Sequence, residues 1–453
     1  MRRASRVVTV LGMAAVLGIA ACSSGDDGST GAGGAGVVSA DPALSKEGPD
    51  HGWSQTNVEL DPASLKCQGA AKNPTRGVTD TSVKIGGLAS LTSPAGTAFG
   101  DVDKGAKARF DRANAEGGVA GRKIDFIGAR DDGTDSARTL AQAKALVEQD
   151  EVFAVVPVST TGGNYLDVFC ADVVPFFGWG TTPAYCGNVI GFGITGCQAP
   201  PQGGQRTVNT GTAASVAKLL PAGAAKTLAL VGTDNEAARQ GNITVGQGFE
   251  SGGFKVVYQE SPIPVSGLTD ATAIVNGIMT ADAGKPPAVV FAVAQFADDV
   301  KLLSALKAAG YEGVLITPIY DPRLSGLPDM DDTYALAQFE PGIDTKVPAV
   351  AQMAKDFETY ASGTAMSLPA TSGYWAADMF IKALEKTGRD LTVDSLLKTL
   401  NGGDYVNYVE GAVAETRWPL NHIASAPCGT LAHLKDKTWT APPLSCGVIT
   451  KAP

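Results

Sequence analysis

From Ser82 onward, short apolar runs alternate with stretches whose apolar residues recur at helical spacing. Val83-Lys84-Ile85-Gly86-Gly87-Leu88 predicts a strand. Gly100 to Glu116 places Ala106, Phe110 and Ala113 on one helical face. Lys123 to Ile127 predicts the next strand, and Ser136 is a candidate N-cap for a helix through Gln149. The unbroken apolar run Val152 to Val156 predicts a buried parallel strand, and Val173 to Phe177 continues the alternation. After a Pro/Gly-rich break at 199–204 the rhythm restarts. Thr212 to Leu220 predicts a helix, Leu228 to Val231 a strand and Gly241 to Glu250 a helix. Lys255 to Tyr258, Ala288 to Ala292 and Val314 to Thr317 read as strands, with helices at Asp270 to Met279 and Ala297 to Ala309. Pro348 to Ser362 and Tyr374 to Thr387 read as amphipathic helices, and the segment carrying Trp418 and Trp439 as short strands and turns. Strand and helix alternating at this spacing imply parallel sheets covered on both faces.

The N-terminus follows a different pattern. Arg2, Arg3 and Arg6 precede an apolar run from Val7 to Ala20, shorter than the roughly 20 residues a bilayer-spanning helix needs. Ile19-Ala20-Ala21 then leads into Cys22, the arrangement of a bacterial lipoprotein signal. Residues 1–21 are therefore expected to be a signal peptide and Cys22 the lipidated residue. Ser23 to Gly36 is almost entirely Ser, Gly, Ala, Thr and Asp, which cannot bury apolar surface. With the weakly periodic segment that follows, residues 22–77 are expected to form a lipid-anchored flexible linker and N-terminal extension. The body of the protein is expected outside the cytoplasm, anchored to the outer face of the bacterial cell membrane.

Length and charge narrow the classes. A chain of 453 residues exceeds one ordinary core and suits two lobes. Its 46 acidic against 36 basic residues argue against nucleic acid, whose phosphates need a basic surface, and suit a monomer. Of seven cysteines, six remain beside Cys22, and an even number in an exported chain reads as disulfides. Cys428 and Cys446 flank an expected hairpin and are paired. Cys186 and Cys197 pair by proximity, which leaves Cys67 with Cys170. No CxxC is present and His51, His422 and His433 lie in unrelated segments, so no metal or other cofactor is expected.

Three motifs fail on context. Gly191-Phe192-Gly193-Ile194-Thr195-Gly196 fits GxGxxG, but Cys197 and Pro200-Pro201 follow where a helix would have to start. Ser304-Ala305-Leu306-Lys307, Thr233-Asp234-Asn235 and Lys386-Thr387-Gly388 echo serine β-lactamases in the wrong order and the wrong elements. Asp131-Asp132 and Asp329 to Asp332 lack the spacing of a calcium loop. No catalytic constellation is left, and the chain is not expected to be an enzyme.

Several passages resemble the type I periplasmic binding proteins, specifically the leucine/isoleucine/valine-type substrate-binding proteins of ABC transporters. They are Ile85-Gly86 through Ser93-Pro94 to Phe99-Gly100, the run from Asn114 through Gly117-Gly118-Val119-Ala120-Gly121-Arg122-Lys123 to Asp131-Asp132, and Val156 to Thr160 with Val174 to Phe177 and Thr181-Thr182-Pro183. The resemblance covers about residues 82 to 420 and is looser in the second half. It implies an α/β fold of two Rossmann-like lobes, each a parallel sheet flanked by helices, joined by hinge strands. Lobe 1 would comprise 78–205 plus 344–415, and lobe 2 would comprise 206–343 plus 416–453.

Ser159 and Thr160 directly follow a buried strand, where hydroxyls and helix-start amides can hold a carboxylate. The resemblance implies that Ser159 and Thr181 contact a ligand's α-carboxylate or α-amine and that Phe99 covers the ligand. Trp179 occupies a position usually filled by something small, and would stack on a flat or apolar ligand. In the second lobe, Tyr320-Asp321 matches the loop that receives the ammonium group, while Gln295 falls where the family presents one tyrosine and Glu236 or Ala237 where it presents another. The implied function is capture of a small polar solute, an amino acid or related compound, for ABC permease subunits. A ligand sensor of the same fold and an extracytoplasmic enzyme are the alternatives.

Overall fold

A computed structural model describes residues 38–39, 53–93 and 99–452 of the chain. The expected signal peptide, Cys22, the leash at 23–36 and Pro94 lie outside the described residues.

A two-residue antiparallel ladder joins β1 (Val38–Ser39) and β2 (Glu59–Leu60). The alternation then begins with β3 (Ser82–Ala89), α1 (Val102–Ala115), β4 (Lys123–Asp131) and α2 (Ser136–Glu148). It continues through β5 (Ala154–Ser159), α3 (Leu166–Asp172), β6 (Phe176–Gly178) and β7 (Gly191–Gly193). These strands form a five-stranded sheet ordered β4-β3-β5-β6-β7, parallel throughout. The N-cap of α2 is Asp135 rather than Ser136: its carboxylate accepts from Arg138 N at 2.7 Å, where a serine one residue later would be inside the first turn. The GxGxxG segment contributes β7 and a tight turn, with Gly196 N donating to Gly193 O at 2.9 Å.

The second series runs β8 (Thr207–Asn209), α4 (Thr210–Ala217), β9 (Thr227–Thr233), α5 (Glu236–Ser251), β10 (Lys255–Ile263) and α6 (Thr272–Met279). It continues with β11 (Val289–Val293), α7 (Phe296–Ala308), β12 (Val314–Thr317) and β13 (Thr333–Ala337). Three helices follow: α8 (Pro348–Tyr360), α9 (Leu368–Thr387) and α10 (Val393–Asn401). The chain ends in β14 (Tyr405–Val409), β15 (Val413–Trp418), β16 (Cys428–Lys435), β17 (Thr438–Thr440), β18 (Ser445–Cys446) and β19 (Ile449–Lys451). The larger sheet is ordered β10-β9-β11-β12-β13-β16-β17, with β18 beside β16. Its first five strands are parallel, and β16 and β17 are antiparallel to their neighbours.

Both sheets therefore repeat one winding, second strand outside the first and the third on the other side. That places a topological switch beside β3 and β5 in one and beside β9 and β11 in the other, where open α/β sheets leave a crevice. The polypeptide passes between the sheets at 194–206, 338–347 and 419–427. The third connection is tied to the first, Ala426 N donating to Thr195 O at 2.8 Å, and the second is tied to the turn between β14 and β15, Glu340 N donating to Ala412 O at 2.7 Å.

The core of the first sheet recruits the late helices. Phe110 of α1, Phe380 of α9 and Leu396 of α10 share one buried cluster with Val155 and Phe177. α9 begins at Leu368, ahead of the expected Tyr374, because Ser367 caps it and Pro369 fits its first turn. It is buried nearly all round over its first four turns, so no amphipathic stripe marks its start.

Residues 53–77, expected to belong to a flexible extension, are held down at intervals. Trp53, Val58, Leu60 and Leu65 pack with Leu420, Ala424 and Ile449. Cys67 is bonded to Cys170 in α3, and the other disulfides join Cys186 to Cys197 and Cys428 to Cys446, as the spacing suggested. The apolar residues here are too sparse to show a period, yet each finds a buried partner far along the chain.

Candidate functional site

A cavity of about 180 Å³ lies where the carboxyl ends of the two sheets meet. The first sheet supplies Trp179, just past β6, together with Phe99, Thr161 and Thr181. The second supplies Thr233 at the end of β9, Asn235 at the cap of α5, and Gln295 just past β11. Gln198 and Gln338 come from two of the connections between the sheets. No charged side chain lines this cavity among the described residues.

Trp179 forms the aromatic wall. Its ring meets Phe99 edge-on at 6.3 Å and Phe339 at 5.7 Å, while Nε1 donates to Gln338 Oε1 at 3.2 Å. The indole is thereby fixed at its polar edge, which leaves aromatic surface to face the cavity.

Polar atoms without partners mark the opposite side. Thr233 is 1% exposed and Gln295 5% exposed, and neither Thr233 Oγ1 nor Gln295 Nε2 has a hydrogen-bond partner among the described residues. Gln295 Oε1 meanwhile accepts from Ser93 Oγ across the cleft. Leaving a buried donor or acceptor unmade costs about 1–3 kcal/mol. Ser90 and Ser159, adjacent at the ends of β3 and β5, carry two more unpartnered hydroxyls close by.

Of the residues singled out in the sequence, Phe99, Trp179, Thr181, Gln295 and Ala237, the alternative to Glu236, come together on this cavity. Ser159 lies at the strand end beneath it, and Thr160 spends its hydroxyl on Gly162 O at 2.7 Å. Glu236 does not line the cavity. Its carboxylate accepts from Gly163 N at 3.0 Å, joining the first turn of α5 to the loop after β5. Asp321 is occupied as well: it caps Arg323 N at 2.8 Å and pairs with that guanidinium at 2.5 Å. Tyr320 stacks edge-on with Trp439 at 5.2 Å, and burial raises its phenol above the usual range. Neither acid is therefore placed to receive an ammonium group in the cavity.

Ser90, Thr233, Asn235, Gln198 and Gln338 were not singled out as ligand residues. The first three follow the rule that pointed to Ser159, since each sits at or just beyond the carboxyl end of a strand. Thr233 and Asn235 belong to the Thr-Asp-Asn fragment set aside above, whose position after Leu228 to Val231 was the usable signal. Gln198 and Gln338 lie in irregular connections, where no periodicity points to them.

The sequence profile of the periplasmic binding protein family matches residues 82–437. No curated protein matches the chain. Among solved structures, a possible leucine/isoleucine/valine-binding protein from Rhodopirellula baltica superimposes with a TM-score of 0.66 at 16% identity, covering 82% of this chain and 98% of that one. A substrate-binding periplasmic protein from Ralstonia solanacearum gives 0.64 at 16%, covering 80% and 100%. A fatty acid ABC transporter substrate-binding protein from Thermomonospora curvata gives 0.63 at 17%, covering 83% and 94%. The chain belongs to the periplasmic binding protein family, whose type I members are non-enzymatic solute-binding proteins.

Proposed function

Starting from that membership, we propose that the chain is a lipid-anchored, extracytoplasmic solute-binding protein that delivers a small solute to an ABC importer. The solute sits in the cavity between the two sheets, against Trp179. The observation that carries this reading is the cavity itself, walled by Trp179 on one side and by Thr233 and Gln295 on the other, each of the latter two with a buried polar atom that has no partner among the described residues. A ligand offering hydrogen-bonding atoms there would recover the cost of leaving them unmade.

The two lobes close over the solute about the three connections, excluding water. Contacts from one lobe to the other hold the closed form: Glu236 to Gly163, Ala237 N to Thr161 O at 3.3 Å, and Ser93 to Gln295. Solved proteins of similar fold include ones named for leucine/isoleucine/valine and for a fatty acid, so the fold alone names no solute. The amino-acid expectation meets a cavity without charge, and a buried ionised group without a partner is costly.

Native mass spectrometry of the full chain should detect one small molecule retained by the wild type and lost from Trp179→Ala. The expected loss in affinity is at least about 2 kcal/mol, roughly thirtyfold. Retention unchanged in that variant would refute the site. Cys22→Ser should move the protein from the membrane fraction to the soluble one, and an unchanged distribution would refute the anchor.

A further inference from the structure

A second chamber of about 130 Å³ lies beside the first and shares part of its wall, including Gln198, Gly241, Val245 and Gln338. Its far side is closed by residues such as Asn209, Phe249 and Ala426, and it too carries no charged side chain among the described residues.

The partition between the chambers is one face of α5. Ala238, Gly241, Val245 and Gly248 recur at helical spacing along it. A Cβ placed on Gly241 would meet nothing within 4 Å, so no neighbouring backbone requires the glycine. A glycine inside a helix lowers stability relative to alanine. What Gly241 provides is empty space on the wall that the two chambers share. Each connection between the sheets also reaches the second chamber: Gln198 from the first, Gln338 from the second, Ser425 and Ala426 from the third.

We infer that the two chambers form one elongated site for an uncharged ligand longer than an amino acid, with a hydrocarbon body. Its polar end meets Thr233 and Gln295, and its body passes Gly241 into the chamber against the connections. This rests on the cavity being the solute site. An ionised head group finds no counter-charge among the described residues of either chamber, whereas a hydroxyl or carbonyl needs none. A ligand of that length touches all three connections, so its length and the closure of the lobes are coupled.

The test titrates the full chain calorimetrically with primary alcohols from butanol to decanol, and with L-leucine. In the wild type, affinity should rise about fourfold per methylene along the series, the equivalent of about 0.8 kcal/mol each. Gly241→Leu should keep the affinity for the short alcohols and stop gaining with the longer ones. Should Gly241→Leu lower the melting temperature, the more adaptable Gly241→Met replaces it. Equal gains in wild type and variant overturn the inference, as does L-leucine binding more tightly than decanol. Trp179→Ala separates the two readings. Short alcohols that bind regardless of Trp179 refute the solute site itself. Short alcohols that need Trp179, with gains indifferent to Gly241, refute only the elongated site.

Discussion

The α1–α9 contact and the cavity face of α5 both depend on glycine, and they use it in opposite ways. At the first, a Cβ on Gly105 would lie 1.8 Å from Ala370 O, and one on Gly373 would lie 1.9 Å from Val102 O. Each helix there gives up a side chain so that the backbones can touch. On α5, the space beside Gly241 is empty. One glycine face makes the interior denser and the other keeps it hollow. The difference separates a region where two helices are locked backbone to backbone from one where a helix leaves space beside it, although both serve sheets of identical winding.

The most severe way to break this comparison is to add one methyl on each side. Gly373→Ala should destabilise the protein by about 3 kcal/mol, the upper end for overpacking, because two backbones must part. Urea unfolding measures it, and a loss under about 0.5 kcal/mol would show that the contact can relax.

Acid should act next, at the 419–427 connection. His422 lies between Phe192 and Trp418, with Nε2 2.7 Å from Asn401 Oδ1, and burial pushes its imidazole down to about 3. The unfolded chain takes up a proton below about pH 6.5 while the folded one resists until about pH 3. Stability is therefore lost as pH falls through that window, by about 2 kcal/mol between pH 6.5 and 5. Denaturant midpoints for the wild type and His422→Asn should converge in acid, and parallel pH curves would remove His422 as the cause.

On the hollow side the sign reverses. Gly241→Ala should raise stability by about 1 kcal/mol, since it gains helix propensity and meets no neighbour. A fall in melting temperature would show that the space is already in use. The smallest effect is expected at the start of the same helix. Glu236→Gln weakens an exposed contact to Gly163 N, which should cost about 0.5 kcal/mol of ligand affinity, seen mainly as faster release.

The sequence made the repeated alternation legible because buried parallel strands such as Val152 to Val156 leave unbroken apolar runs. It also exposed Phe99, Trp179 and Thr181, which lie near the strand ends of the better-matched half. The second half was harder to read. Glu236 and Asp321 were expected to face a ligand, but one joins two loops across the cleft and the other pairs with Arg323. An acidic side chain says little about direction when a backbone N–H or a guanidinium stands nearer than the cavity. Thr233 was overlooked because its neighbours invited a catalytic comparison, and Gln338 because nothing periodic surrounds it.

The stitching of residues 53–67 has a mechanical meaning. Trp53 Nε1 donates to Glu415 O at 3.3 Å, Lys66 N to Gly187 O at 2.8 Å, and Cys67 is covalently fixed to Cys170. A pull entering the described chain at residue 53 is taken up by these fastenings in turn, and the last is a covalent bond. The load path crosses Leu420 and Ala424 of the 419–427 connection before it ends at Cys170 on the flank of the first sheet. Tension on this side of the molecule would bear on one of the three crossings between the sheets as well as on that flank.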